Sequence, residues 1–137
     1  MRWAILDTNI YIAAWLRGDV DGILSDVRSS FIVRHSAVVL SELRRGTRMR
    51  DAERRVSALA RRAKPIWAPT ADDWWDAGRL IQQIGDRLAW DRARRRAFQN
   101  DALIALTARR HGATVVTNNA ADFVLLRKTI RFALITA

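Results

Sequence analysis

The residues best placed to do chemistry are four acids, Asp7, Glu42, Asp101 and Asp122, in a chain that is otherwise strongly basic. Asp7 ends the apolar run 3–6 and is followed by small polar residues, a pattern that brings a carboxylate to the carboxyl edge of a parallel sheet. Acids far apart in sequence can meet at that edge because parallel strands end there together. Converging carboxylates repel one another, so such a cluster would need a hard divalent cation, Mg²⁺ or possible substitute Mn²⁺.

Short apolar segments predict the strands that would position these acids. They lie at residues 3–6, 31–33, 66–67, 114–117 and 131–134, and helix-length segments separate them. This alternation predicts an α/β fold with a mostly parallel sheet of four to five short strands, covered on both faces in three α/β/α layers. With 137 residues and no repeat or Pro/Gly/Ser linker, we expect a single domain over 1–137.

Two of the acids fall on predicted helices. Ser36 is placed to cap a helix that runs to Gly46, and Glu42 would lie on its apolar flank. Asn100 is expected to cap a helix that begins at Asp101 and ends near residue 112, where the helix N-terminus would keep the carboxylate ionised. Each acid also has a structural interpretation, and Asp122 in particular could simply cap the last helix.

A further helix is predicted after residue 70. Thr70 and Asp73 resemble a capping box in which Asp replaces Glu. Behind it, apolar residues recur at helical spacing and predict one apolar face, formed by Trp74, Ala77, Gly78, Ile81, Ile84 and Leu88.

The net charge of +10 is unevenly distributed. Residues 28–64 hold eleven basic side chains and three acids, so about +8 of the total lies there. Most of the basic residues are Arg, whose planar fork suits phosphate, and such a field favours nucleic acid over a merely solvated surface. We assign contacts with a nucleic-acid backbone to Arg44, Arg45, Arg94, Arg95 and Arg96.

Composition excludes several other classes of protein. Cys is absent, which rules out disulfides, thiolate metal sites and cysteine nucleophiles. No apolar run approaches the roughly 18–20 residues that span a bilayer, and the first residues lack the pattern of a signal peptide, so we expect a cytoplasmic protein without membrane contact. His35 and His111 have no metal-ligand spacing and are expected to be structural or exposed.

The ordered motifs of the chain resemble those of the PIN domain family, and within it the VapC-type toxin ribonucleases of toxin–antitoxin operons. They are LDTN at 6–9, SELRRG at 41–46, NDALIALTARRHGATVVTNN at 100–119 and AADF at 120–123. The resemblance spans nearly the whole chain. It implies a small α/β/α nuclease with an acidic Mg²⁺-dependent site, which cuts single-stranded or looped RNA and is silenced by a cognate antitoxin.

The resemblance also implies roles for individual residues. Asp7, Glu42 and Asp101 match the first three acids of the family, with Asp7 and Asp101 holding the metal and Glu42 completing or orienting its shell. At the fourth position many relatives have an acid where this chain has Asn118 and Asn119, and Asp122 is the nearest carboxylate. The residues that match small polar positions of the family would orient ligands or substrate: Thr8, Asn9 and Thr117, together with Asn119. Whether Asn119 or Asp122 seats a second ion stays open.

The interpretation extends to partners and alternatives. Residues 19–27 and a helix over 44–62 could pair with an antitoxin, a homodimer is expected from the family, and exposed members of the set Trp15, Trp74, Trp75 and Trp90 could stack RNA bases. Strand-Asp-Thr also begins aspartyl-phosphate phosphatase sites, but these need a second Asp where this chain has Asn9. A second alternative is a catalytically weak or inactive RNA-binding or regulatory relative, for which Asn119 is the hint.

Overall fold

The computed structural model describes residues 2–17, 22–47, 50–62 and 64–137, and a five-stranded sheet forms their centre. The strands are β1 (Arg2–Leu6), β2 (Phe31–Ser36), β3 (Ile66–Trp67), β4 (Thr114–Thr117) and β5 (Ala133–Thr136). Their order is β3-β2-β1-β4-β5, and every neighbouring pair is parallel. The predicted α/β class with a mostly parallel sheet is confirmed, and β5 begins two residues later than expected.

Seven helices flank the sheet within the described ranges, as the three-layer prediction requires. They are α1 (Thr8–Arg17), α2 (Ile23–Ser30), α3 (Ala37–Arg45), α4 (Arg50–Arg62), α5 (Ala71–Arg87), α6 (Arg92–His111) and α7 (Ala121–Arg127). The expected single helix over 44–62 is wrong, because α3 ends at Arg45 and α4 begins at Arg50. Gly46 is the C-cap of α3, and its N–H donates to the Glu42 carbonyl. Within these ranges, none of the helices is both long and apolar enough to cross a membrane.

The core fixes the ends of the two central strands. Residues 4–6 of β1 and 115–116 of β4 are almost completely buried, and the apolar run 102–106 of α6 packs in the same core. Parallel strands with both faces covered are expected to be continuously apolar, and these are. The buried strands β1 and β4 therefore end side by side, and the backbone at Asp7, just after β1, and at Thr117, the last residue of β4, has little freedom to move.

Helix α6 begins nine residues earlier than the sequence predicted. Asp91 caps it, because its Oδ1 accepts a hydrogen bond of 2.8 Å from the Arg94 backbone N–H. Arg and Ala are strong helix formers, and Phe98 is buried, so the basic segment 92–99 continues the helix. The prediction that Asn100 caps this helix was wrong, and Asp101 lies far from the helix N-terminus whose dipole was expected to hold it ionised.

Helix α5 has the predicted capping box but buries a different face. The Thr70 hydroxyl accepts from the Asp73 N–H, and the Asp73 carboxylate accepts from the Thr70 N–H. Its buried residues are Asp73, Ala77, Leu80, Ile84 and Gly85, while Trp74 is half exposed. Gly85 lies against α6, where a Cβ at this position would be 2.8 Å from the guanidinium carbon of Arg95.

Candidate active site

Asp7 lies at the carboxyl end of β1 with both carboxylate oxygens hydrogen-bonded. Its backbone N–H donates to the Val116 carbonyl over 2.9 Å, which ties the end of β1 to β4. Oδ1 accepts from the Thr8 N–H and Oδ2 from the Thr117 hydroxyl, each over 2.8 Å. With only 5% of the residue exposed, these two neighbours fix the direction of the carboxylate.

Glu42 reaches the same place from α3. The Ser36 hydroxyl caps that helix by accepting from the Val38 N–H over 3.1 Å, as predicted. The Thr8 hydroxyl donates to Glu42 Oε1 over 2.9 Å, and the side chain of Asn100 forms a further hydrogen bond with Glu42. Thr8 therefore contacts two acids at once, Asp7 through its backbone N–H and Glu42 through its hydroxyl.

Asp101 and Asp122 complete the acidic group from α6 and α7. The Asp101 carboxyl lies within hydrogen-bonding reach of Asp122, and both side chains are partly buried. Asp122 also accepts from the guanidinium of Arg94, with Nη2 2.5 Å from Oδ1 and Nη1 3.4 Å from Oδ2. Because α7 begins after Ala120 with no side-chain cap, the alternative role of Asp122 as a helix cap is wrong.

The carboxylates of this group disfavour one another's charge. Burial raises the pKa of Asp7 despite the hydrogen bonds from Thr117 and Thr8, and the charge of Asp122 raises it further. Burial also raises the pKa of Glu42, and the charge of Asp7 adds to the shift. Burial, contact with Asp122 and the charges of Asp7 and Glu42 together raise the pKa of Asp101 to about 9. A nearby cation would relieve all of these shifts.

A comparison of the sequence with protein families decides its membership. The model of the PIN domain matches residues 4–127. The chain belongs to the PIN domain family. This match confirms the resemblance found in the sequence motifs. A search of curated proteins finds no match.

Solved structures share the whole fold of this PIN domain at low sequence identity. VapBC2 from Rickettsia felis bound to a promoter DNA fragment has a TM-score of 0.69 and 21% identity, with 98% of each chain covered. VapBC-1 from nontypeable Haemophilus influenzae has a TM-score of 0.71 and 19% identity, with 98% of this chain and 97% of that chain covered. FitAcB from Neisseria gonorrhoeae has a TM-score of 0.66 and 21% identity, covering 97% and 96%. At such identities the likeness establishes the fold.

The donor chemistry of the PIN domain site suits the divalent metals that nucleases of this family generally use. Its oxygens are hard ligands that are partly withdrawn from water, and burial together with the charges of neighbouring acids raises the pKa values of Asp7, Glu42 and Asp101. Across 2–17, 22–47, 50–62 and 64–137, however, no three Asp, Glu or His side chains already surround a common point at ligand distances. The four acids thus share one electrostatic environment without forming a closed ligand shell.

The remaining predicted site residues of the PIN domain differ in whether their side chains are hydrogen-bonded or exposed. Thr117 closes on Asp7, and its hydroxyl also accepts from the Asn119 backbone N–H over 3.0 Å. The side chains of Asn9, Asn118 and Asn119 are exposed at the same edge of the sheet. Asn100 was missed as a contact of Glu42, although its position beside Asp101 in the NDALIA motif was a usable signal.

The five predicted RNA-binding arginines fall into two groups. Arg45 and Arg96 are exposed. The other three have protein partners: Arg44 bonds to Glu53 over 3.2 Å, Arg95 to Asp86 over 3.0 Å and to the Trp90 carbonyl, and Arg94 to Asp122. Arg95 in particular joins α6 to α5. The sequence could not separate these groups because adjacent arginines on a helix point in different directions.

The aromatic residues and histidines are mostly engaged in packing. His111 stacks on Trp67 with ring centroids 3.8 Å apart, and His35 lies 5.9 Å from the ring of Tyr11. Trp15 packs on Tyr11, and Trp90 packs edge-on against Phe98. Trp74 and Trp75 are exposed on α5, so of the four tryptophans considered for base stacking these two have open ring faces.

Proposed function

We propose that this PIN domain is a VapC-type toxin, a Mg²⁺-dependent endoribonuclease of the cytoplasm that a cognate antitoxin silences. The observation that carries the proposal is the meeting of Asp7, Glu42 and Asp101 from three separate elements: Thr8 hydrogen-bonds to both Asp7 and Glu42, and the charges of these two acids act on the buried Asp101. Membership of the PIN domain family and the similar folds of VapBC structures support the same function.

In this proposal Asp7 and Asp101 hold Mg²⁺, with Mn²⁺ as a possible substitute, and Glu42 completes or orients the shell. When bound, the ion would acidify a water and neutralise charge on the phosphate, so no His base is needed. Thr8 and Thr117 keep the carboxylates of Asp7 and Glu42 in place through the hydrogen bonds described above. Asn9 and Asn119 are exposed at the same edge, where their amides can orient substrate.

RNA would approach over the basic surface around this edge. Arg45 is exposed on α3, three residues after Glu42, and its charge opposes the rise in the pKa of that acid, so we assign it a phosphate contact near the cut bond. Arg96 extends that surface. Arg44 would extend it too if a phosphate replaced Glu53 as its ion-pair partner. Phosphate contacts of this kind give affinity without sequence information, which fits a nuclease whose target is selected by RNA shape.

A protein partner is supported by an apolar groove between α1, α3 and α4. Its volume is about 290 Å³, and Ile12, Trp15, Leu16 and Leu43 contribute apolar lining. Leu16 is 79% exposed, which is unusual for a large aliphatic residue beside other apolar side chains. We assign this groove to the antitoxin. Of the segments predicted to pair with it, 44–62 contributes to the groove, while residues 19–21 lie outside the described ranges. A homodimer remains part of the proposal.

RNA cleavage tests the proposed enzyme. The full chain should cut RNA in Mg²⁺ and lose the activity in EDTA, and Asp7→Asn should lower the rate by at least about 100-fold because the metal loses a charged ligand. Asp72→Asn, an exposed acid on α5, is the matched control and should cut normally. Unchanged cleavage by Asp7→Asn would refute the site, whereas Mg²⁺-independent RNA binding without cleavage would favour the inactive RNA-binding alternative.

A further inference from the structure

We propose that Arg94 is a built-in counter-ion in the acidic site, where it takes the place of a second metal ion, so that the site holds a single divalent cation. This inference rests on the proposed metal-dependent function and deepens it. It answers the question that the sequence left open, namely whether one or two ions are seated between the four acids.

The first support is the geometry of the pair that Arg94 forms with Asp122. Both terminal nitrogens of the guanidinium face the carboxylate, at 2.5 Å and 3.4 Å from its two oxygens. A two-pronged pair of this type uses both oxygens of the acid. Only 16% of the Asp122 side chain and 36% of the Arg94 side chain are exposed, so water competes weakly for the contact. Asp122 is thereby occupied by a cation that belongs to the chain itself.

A second support is that Arg94 is held from its other side. Its guanidinium carbon lies 4.1 Å from the centre of the Trp90 ring and 5.7 Å from that of Phe98, and these two rings pack edge-on at 4.9 Å. Contacts between a guanidinium and an aromatic face are favourable, most of all with Trp. The Arg94 backbone N–H is also fixed by the Asp91 cap. The cation is thus positioned independently of Asp122.

Charge balance supplies the third support. Asp122 lies within hydrogen-bonding reach of Asp101, and its charge also acts on Asp7, so Arg94 neutralises a member of the metal-binding group itself. Four carboxylates and one guanidinium leave a formal charge of about −3, which one divalent ion reduces to about −1. A second divalent ion would face the guanidinium at short range, and the exposed amides of Asn118 and Asn119 add no compensating negative charge.

The consequence for the reaction is a division of labour among the acids. Asp7 and Asp101 remain available to a single ion, whereas Asp122 is reserved for Arg94. Arg94 is therefore a positioning residue: it holds Asp122 in place and sets how many ions the site accepts.

Manganese binding tests this assignment. Calorimetric titration of the full chain with Mn²⁺ at neutral pH should give one ion per wild-type chain up to about 1 mM, and electron paramagnetic resonance should show an uncoupled Mn²⁺ signal. In Arg94→Gln the freed Asp122 should admit a second ion, with a second-site affinity raised at least tenfold and a spin-coupled Mn²⁺ pair. Arg94→Lys, which keeps the charge, should still bind one ion.

Two controls keep the result interpretable. Arg92→Gln removes an exposed arginine two residues earlier on the same helix and should bind Mn²⁺ as the wild type does. Thermal melting shows whether Arg94→Gln is folded; if it is not, Arg94→Met, which also removes the charge and should admit a second ion, provides a second test. Two ions in the wild type, or a single ion in both Arg94→Gln and the wild type, would overturn the counter-ion assignment.

RNA cleavage separates this assignment from the proposed function. If the wild type cuts RNA in Mg²⁺ while Arg94→Gln still binds one Mn²⁺, the counter-ion assignment fails and the nuclease stands. If the wild type neither binds Mn²⁺ nor cuts RNA, both fail.

Discussion

Two buried carboxylates of this molecule, Asp73 and Asp7, have opposite electrostatic surroundings. Asp73 accepts the Thr70 N–H and two hydrogen bonds from the Arg110 guanidinium, at 2.7 Å and 3.2 Å. Burial opposes its ionisation, but these donors hold the pKa of Asp73 below its ordinary value. Asp7 also has two donors, but burial and the charge of Asp122 outweigh them and raise its pKa. A carboxylate with its own cation stabilises the fold, whereas one that lacks a cation is suited to binding one.

The largest expected effect is a loss of RNA cleavage when an acid of the site that contains Asp7 is changed. Asp101→Asn should reduce RNA cleavage by at least about 100-fold, because it removes a proposed metal ligand. It should also raise the melting temperature of the metal-free chain at pH 8, since Asp101, with a folded-state pKa of about 9, must take up a proton to fold at that pH and Asn need not. Cleavage assays and thermal melts on the same preparation measure both. Wild-type cleavage by this variant would place Asp101 outside the site.

The reverse result is expected at Asp73. Asp73→Ala removes half of the capping box and leaves Arg110 without its buried acceptor, so the free energy of unfolding should fall by about 2 kcal/mol. Denaturant unfolding measures this loss, and cleavage at 25 °C should stay close to wild type. The exposed neighbour Asp72→Ala is the control and should cost less than about 0.5 kcal/mol. An equal loss in both variants would deny Asp73 its structural role.

The pH dependence of stability should have opposite signs in the two places. The folded-state pKa values of Asp7, Glu42 and Asp101 are raised, so in EDTA their contribution is present at low pH and is lost as the pH rises from about 4 toward 9. The folded-state pKa of Asp73 is lowered, so its contribution is present at neutral pH and is lost in acid.

Thermal melts across this range measure both trends. In EDTA the melting temperature should decline between pH 6 and pH 9, and Mn²⁺ should reverse the decline at pH 8 in the wild type but much less in Asp7→Asn. A melting temperature that Mn²⁺ leaves unchanged at pH 8 would contradict the view that the acids are short of a cation.

A smaller effect is expected at Thr8. Thr8→Val removes the hydroxyl that donates to Glu42 but keeps the backbone N–H that donates to Asp7. Loss of one orienting hydrogen bond, worth about 1.4 kcal/mol, should slow cleavage roughly tenfold. Thr117→Val makes the matched change at Asp7 and should slow cleavage at least as much, since Asp7 is a proposed ligand. If Thr8→Val were the slower of the two, Glu42 would have the larger role.

The smallest effect concerns the basic surface. Arg45→Gln should weaken RNA binding and reduce the slope of log affinity against log salt by about 0.7, the value for one contact with a single-stranded phosphate. Arg95→Gln should leave the slope unchanged, because Arg95 is bonded to Asp86 and to the Trp90 carbonyl. Binding measured in Ca²⁺ or EDTA at several salt concentrations distinguishes the two variants.

The sequence predicted the sheet and the assembly of the acids better than it predicted individual side-chain contacts. Strands such as 3–6 and 114–117 are short, apolar and buried, so their pattern suffices to locate them. The order of parallel strands then brings Asp7 and Thr117 together without any knowledge of packing. Glu42 and Asp101 could be added because their motifs resemble those of a known family.

What the sequence could not supply depends on packing between elements. The apolar residues of α5 favour a face that includes Trp74, but the helix packs through Ala77, Leu80 and Ile84 and leaves this Trp half exposed. The start of α6 was misplaced because Asn100 is a good cap, while Asp91 is an equally good cap nine residues earlier. The pairing of Arg94 with Asp122 spans 28 positions, and no local pattern indicates it.

The double contact made by Thr8 links the outer surface of the molecule to its acidic pocket. Thr8 is the first residue of α1, and the same helix places Ile12 about one turn later and Leu16 about two turns later in the apolar groove. The 2.9 Å bond from Thr8 to Glu42 stretches if α1 slides along its axis. A partner that binds this helix would therefore also fix the distance between Asp7 and Glu42. Binding in the groove and the arrangement of the acids would both depend on the position of α1.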